Sequence, residues 1–375
     1  MELTADYSSD ARAATGPDVQ ALTVLGLETS CDETAASVVR LHPSALGGRA
    51  EVLSSVVHSQ IDDHAAYGGV VPEIAARSHV EMIDGVTRRA MAEAGLDFGA
   101  LDGVAATAGP GLVGGVMVGL SYGKAVSLAR GLPLVAVNHL EGHAVSARLG
   151  AEVAYPFLLL LVSGGHCQIL EVRGIGDMSR IGATIDDAAG EAFDKIAKAL
   201  GLGYPGGPEL SRLAQDGDPG AYALPRPMMH SGDLDFSFSG LKTAVLTRMR
   251  ALQDEGDATG HKARADLAAS TEAAIVDVLA SKSLQALRRT GLKTLVVAGG
   301  VGANRHLRAR LTQALDDLGG RAYFPPLQLC TDNGAMIAWA AVQRARAGLI
   351  DLQALRGDAA FAVRPRWDLS DVCVA

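Results

Sequence analysis

The segment Asn138-His139-Leu140-Glu141-Gly142-His143-Ala144 places two histidines four residues apart, directly after the apolar run Leu132 to Val137. On a helix, positions i and i+4 share a face with Cβ atoms roughly 5–6 Å apart, so both imidazoles can reach one ion. The zincin motif itself is absent. A zincin carries its water-activating Glu directly after the first His, where Leu140 stands, and Glu141 falls about 100° further round the helix. An ordinary surface helix or a helix cap accounts for an isolated pair more readily than a metal does.

Other stretches could complete a site. Asp332, in Cys330-Thr331-Asp332-Asn333, would add an oxygen ligand to make a two-His, one-carboxylate set with open positions; as a helix N-cap it needs no further explanation. Leu161-Val162-Ser163-Gly164-Gly165-His166 is a glycine hairpin whose N–H groups could approach a phosphate, or a plain Gly-Gly turn. Ala298-Gly299-Gly300-Val301-Gly302-Ala303-Asn304 could cradle a nucleotide, with Asn304 as donor and acceptor or as a local cap. Asp194, and Gly207 in the turn Tyr204-Pro205-Gly206-Gly207-Pro208, have no packing explanation. No Walker A motif is present and no G-x-G-x-x-G follows a strand, so a bound nucleotide would need another cradle.

The elements that must position these residues read as alternating strands and helices. Strands are expected at 22–27, 35–41 and 51–57, and the polar turn Glu28 to Thr34 lies between the first two. A helix follows from Pro72 with Ile74, Ala75, Val80, Ile83, Val86 and Ala90 inward, then a strand at 102–107, a helix at 116–130, a strand at 132–137 and the histidine helix. The second pass has strands at 156–162 and 167–172, helices at 188–200, from 241 and at 263–289, a strand at 292–298, a helix at 303–318, a strand at 321–324 and a last helix to about 347. The stretch after Gly201 has no clear order. Two hairpin-led passes describe a duplicated β-β-β-α-β-α-β-α unit, which resembles the two-domain actin/hexokinase-like (ASKHA, ribonuclease-H-like) α/β plan with five-stranded mixed sheets and a cleft between the units. The expected division is a disordered tail at 1–20, unit I at 21–150, unit II at 151–330, a helix returning to the cleft at 331–350 and a C-terminal tail at 351–375.

Composition narrows the class. Hydrophobic residues make up 48% and charged residues 20%, a globular profile. The net charge of −9 and the 4% aromatic content argue against nucleic-acid binding over the whole surface, so any RNA contact must be local or shared with a partner. Arg305, Arg308 and Arg310, or Arg288 and Arg289, are the clusters that stand out; solvated helix faces explain each one singly. Cys31, Cys167, Cys330 and Cys373 have no C-x-x-C spacing, which indicates neither a disulfide framework nor a zinc finger and fits a reducing cytoplasm. No membrane span or signal peptide is expected: Val104 to Leu120, the most apolar stretch, contains Pro110 and several glycines.

Nine motifs in order carry a resemblance to one family: ETSCDETAASVV from Glu28, HAAYGGVVPEIAARSH from His64, GPGLVGGVMVG from Gly109, NHLEGHA, LVSGGH, DDAAGEAFDKIAKALGLGYPGGP from Asp186, FSFSGLKTAV from Phe236, VAGGVGANRHLR from Val297 and CTDNGAMIAWA from Cys330. They resemble the TsaD (Gcp) family of tRNA N6-adenosine threonylcarbamoyltransferases over roughly residues 22–347. The resemblance implies one divalent metal ion per subunit, iron in the usual assignment with zinc or magnesium as alternatives, on His139, His143 and Asp332. It implies threonylcarbamoyl-AMP as donor, held at Leu161, Val162, Ser163, Gly164, Gly165, His166, Asp194, Gly207 and Asn304. Some relatives carry an acidic residue where Ser211 stands, so that contact is not carried over. The acceptor would be the adenosine beside the anticodon in tRNAs reading codons that begin with A. The TsaB paralogue and the TsaE ATPase would be partners in the cytoplasm. Asp32 and Glu33 are the candidates to take the amine proton.

Three other readings compete. A metalloprotease would show EDTA-sensitive cleavage that depends on His139, but position 140 lacks its Glu. An actin-like kinase or ATPase would turn over ATP without partners. A non-catalytic scaffold would have no need of both histidines and Asp332.

Overall fold

The computed structural model describes residues 21–42, 49–254, 260–357 and 360–374, so the tail expected at 1–20 lies outside the described residues. Unit I contains β1 (Leu22–Glu28), β2 (Glu33–His42), β3 (Arg49–Ser59), α1 (Ile61–Ala65), α2 (Pro72–Glu93), β4 (Gly103–Gly109), α3 (Val113–Arg130), β5 (Leu134–Asn138) and α4 (His139–Ser146). Unit II contains β6 (Phe157–Val162), β7 (Cys167–Gly174), β8 (Asp177–Ala183), α5 (Ala189–Ala199), α6 (Gly206–Ala214), α7 (Ser239–Asp254), α8 (His261–Thr290), β9 (Thr294–Ala298), α9 (Arg305–Asp317) and β10 (Arg321–Tyr323). The helix α10 (Gly334–Arg346) follows.

The sheets run β3-β2-β1-β4-β5 and β10-β9-β6-β7-β8. In each, the opening three strands are antiparallel, and the first then pairs in parallel with a later strand: β1 with β4, and β6 with β9. The duplication expected from element order is therefore a duplication of topology. Strands covered on both faces read as near-continuous apolar runs; in β6, Phe-Leu-Leu-Leu-Leu-Val, every residue is buried.

The structure also departs from expectation. β8 is not expected from sequence because Asp-Met-Ser-Arg-Ile-Gly-Ala has neither an apolar run nor a period-2 alternation: exposed Arg180 stands between buried Met178 and Gly182. α6 begins inside the Gly-Gly-Pro turn, whose glycines mask a helix start. In α2, Val80 is exposed and His79 is buried instead, bonded to Thr34 and to the carbonyl of Cys31.

The helix expected within 331–350 is α10, and it packs on the first sheet. It covers one face of the first sheet, packing Ala335, Ile337, Ala338 and Val342 with Val24, Val39, Ala105 and Val135. A Cβ on Gly26 would lie 2.1 Å from the Gly334 carbonyl oxygen, so that close approach admits only glycine and sets where α10 begins. Within the expected C-terminal tail, residues 360–372 pack against the rest of the chain. Trp367, Leu369 and Val372 are buried in a core shared by both units, together with Leu140, Ala144, Leu159 and Leu161.

Candidate metal centre and cleft

β5 ends at Asn138, whose Oδ1 accepts the N–H groups of Leu140 and Glu141 at 2.9 and 3.4 Å and so caps α4. Every residue of the helix is buried, which removes the surface-helix reading of the histidine pair. Glu141 points to the far side. It accepts from Arg344 Nε at 2.8 Å, and Arg344 also donates to the Val372 carbonyl. Fully buried and ion-paired, Glu141 ties α4 to α10 and cannot activate water at the histidines.

The side chains of His139 and His143 stand edge to face, with ring centroids 4.7 Å apart. Their Nε2 atoms lie 3.5 and 3.0 Å from Asp332 Oδ1, and one ligand atom from each of the three residues falls within 4.8 Å of the others. Asp332 is free to join because Asn333, not Asp332, caps α10: Asn333 Oδ1 accepts from Met336 N at 2.9 Å. Two imidazole nitrogens and one carboxylate converging from two elements are a donor set that fits a divalent cation.

Glu28, quoted in the sequence only as the start of a motif, supports this set. Its carboxylate lies 3.0 Å from His139 Nδ1 and accepts from Thr107 Oγ1 and Ser30 N, each at 2.5 Å. Accepting from Nδ1–H turns the Nε2 lone pair of His139 toward Asp332, the usual outer-shell arrangement of a metal-bound histidine. Ser30 Oγ, 3.1 Å from the same nitrogen, is buried and orients the ring. His143 has no such support, since its Nδ1 is buried without a partner.

Charge is unbalanced here. Glu28, Asp32, Glu33 and Asp332 gather at the mouth of the β1–β2 turn, and among the described residues only the two histidines pair with any of them. Burial disfavours a proton on His139, but the charges of Asp332 and Glu28 outweigh it and push the ring up to about 9. Asp332 is held well below the usual carboxylate range: burial opposes this, and His139 and His143 prevail. Burial, then Asp332 and Asp32, holds Glu33 well above that range, and burial keeps the Cys31 thiol protonated. Burial and the neighbouring histidines push His166 down to about 4, so it is neutral at pH 7. Such a cluster calls for a cation, whether a proton or a metal.

From unit II, the hairpin is closed by Ser163 N donating to His166 O at 2.8 Å and His166 N donating to Ser163 Oγ at 3.1 Å. Gly164 and Gly165 are exposed, and a Cβ on either would meet open space, so their amides can face a ligand. The side chains of Leu161 and Val162 are core, leaving only their backbone to serve. Asp194 Oδ1 accepts from Gly206 N at 2.8 Å at the start of α6, which explains Asp194, Gly206 and Gly207 together. Asn304 caps α9 through Leu307 N and gives its Nδ2 to Glu272 at 2.7 Å and Ser211 at 3.0 Å. Glu272, unmarked by any motif, thus adds a second carboxylate beside Asn304.

The profile of the TsaD family, described as tRNA N6-adenosine threonylcarbamoyltransferase, matches residues 51–339. The chain belongs to that family. A transferase of this description from Bordetella petrii is 58% identical over 351 residues, covering 93% of this chain and 98% of the relative. One from Caulobacter vibrioides is 58% identical over 364 residues, covering 95% of each. Among solved structures, full-length HypF in its phosphate- and nucleotide-bound form superposes with a TM-score of 0.55 at 14% identity, over 90% of this chain and 56% of HypF. That likeness supports the actin/hexokinase-like fold alone. The family makes the chain a transferase acting on tRNA adenosine.

Proposed function

We propose that this TsaD-family chain transfers the threonylcarbamoyl group from threonylcarbamoyl-AMP to the N6 amine of the adenosine beside the anticodon, in tRNAs reading codons that begin with A. His139, His143 and Asp332 hold one divalent ion, iron before zinc or magnesium. The observation that carries this reading is the buried two-His, one-carboxylate set, backed by Glu28 and lacking any Lys or Arg counter-charge among the described residues. When bound, the ion polarises the carbamoyl carbonyl and offsets phosphate charge.

The chain's own residues do the rest. Backbone amides of Ser163 to His166 and the corner formed by Asp194, Gly207 and Asn304 orient the mixed anhydride, and fixed donors of this kind stabilise charge without reorganising. The N6 lone pair attacks the carbamoyl carbon, the bond to the phosphate oxygen breaks and AMP leaves. Asp32 or Glu33, in its ionised form, takes the amine proton. Exposed Val80 on α2 and Val113 and Met117 on α3 offer an apolar face for a protein partner, with TsaB and TsaE as the candidates. Among the described residues no helix is long and apolar enough to cross a membrane, and we place the protein in the cytoplasm with its substrate.

The test is reconstitution. Purified metal-loaded protein with its partners, given threonylcarbamoyl-AMP and unmodified tRNA, should release AMP and form the modified nucleoside in equal amounts. Cleavage of a protein substrate, or ATP turnover by the chain alone, without transfer would refute the reading.

A further inference from the structure

A net charge of −9 leaves open how this chain meets a polyanion. Residues 360–374, beyond the family match that ends at 339, bear on the question. The segment is built in: Arg364 N donates to Ala108 O at 2.7 Å, Gly111 N to Pro365 O at 3.2 Å, and Asn138 Nδ2 to Trp367 O at 3.1 Å. At Gly109, with φ 139°, a Cβ would lie 1.8 Å from the Arg364 carbonyl oxygen, so only glycine admits the segment there.

The segment closes one side of a cavity of about 290 Å³ between the two units. One part of its wall is Leu140, next in chain to the metal-site residue His139, and His166, the last residue of the hairpin; Pro110 and Trp367 add apolar wall. The volume sits at the lower edge of the roughly 300–1,000 Å³ typical of small-molecule pockets, which suits one base rather than a whole nucleotide. Gln168 of β7 lines the cavity, and its side-chain amide has no hydrogen-bond partner among the described residues. Arg180 of β8, Arg366 and Asp368 line it as well. Arg180 Nη1 reaches Asp368 Oδ2 at 3.1 Å, whereas Arg366 is exposed and has no acidic partner among the described residues.

We propose that this cavity receives the acceptor base of the RNA, turned out of its stack, with a flanking phosphate on Arg366. The inference rests on the transferase reading above and adds the place where the second substrate enters. An unpaired amide such as that of half-buried Gln168 can read adenine bidentately through N6–H and N7, and leaves the face of the N6 amine free to attack the carbamoyl carbon. Single-stranded loops are where RNA offers such a base, and an extruded nucleotide can reach chemistry that a stacked one cannot. Arg366 at the cavity mouth supplies local positive charge that the acidic surface lacks, the charge of Arg180 being balanced by Asp368.

Arg366→Glu and Gln168→Ala test this in the full chain with its partners. Arg366→Glu should raise KM for tRNA at least tenfold (on the order expected for a lost phosphate contact and a reversed charge) and shallow the slope of log KM against log salt by about one. kcat, bound metal and AMP affinity should stay near wild type. Replacing the acceptor adenosine by 7-deazaadenosine should cost the wild type about tenfold in kcat/KM and cost Gln168→Ala little more than it has already lost. Unchanged tRNA KM and salt slope in Arg366→Glu, or full 7-deaza sensitivity retained in Gln168→Ala, would overturn the assignment. A wild-type chain that binds AMP and metal but transfers to no tRNA would sink the transferase reading, and this one with it.

Discussion

Glu28 makes the histidine pair a directed site, because a ring bonded through Nδ1 can offer its other nitrogen in one direction only. Glu28→Gln should therefore weaken metal binding about 10–100-fold while the fold is kept, as read by metal titration alongside thermal melting. Full affinity in that variant would remove Glu28 from the site. A second expectation concerns pH. Without metal, the carboxylates push His139 up to about 9, and a metal must displace that proton. Apparent affinity should then rise about tenfold per pH unit from 7 and level near 9. The sign for stability follows. A folded pKa raised from 6.5 stabilises the metal-free protein fully below that value, and the contribution fades as pH climbs through about 9. Metal should accordingly raise Tm more at pH 9 than at pH 6, and a metal effect independent of pH would contradict the pairing.

Each helix that brings a ligand has a cap that is not itself a ligand. Asn138 starts α4 and Asn333 starts α10, leaving His139 and Asp332 free for the cleft. Asn333→Ala should cost about 1 kcal/mol of stability and loosen metal binding without abolishing it, measured by denaturant unfolding and metal titration. Complete loss of metal in a folded Asn333→Ala protein would mean that Asn333 does more than cap. Most elements were legible, since central strands such as β1 and β6 are long apolar runs and long helices such as α8 span many turns. Edge strand β8 and helix α6 were not, because a short mixed segment without apolar periodicity and a glycine-rich start imitate loops. The division of Asp332 from its cap was equally hidden: adjacent Asp and Asn are equivalent as caps until the backbone turns one of them inward.

The two units meet through one continuous core that takes in α4, the inner face of the second sheet and residues 367–372, so the site lies where both halves are held together. The spacing of His139 and His143 and the glycine hairpin were readable from sequence. Glu28, Glu272 and the role of the C-terminal segment were not, because each acts through contacts between residues dozens to hundreds apart. Nucleoside analysis of tRNA from cells depleted of this protein tests the central claim most directly. N6-threonylcarbamoyladenosine should fall toward zero, return with the wild-type chain and stay absent with Asp332→Ala. Modification that persists at its normal level after depletion would contradict the account.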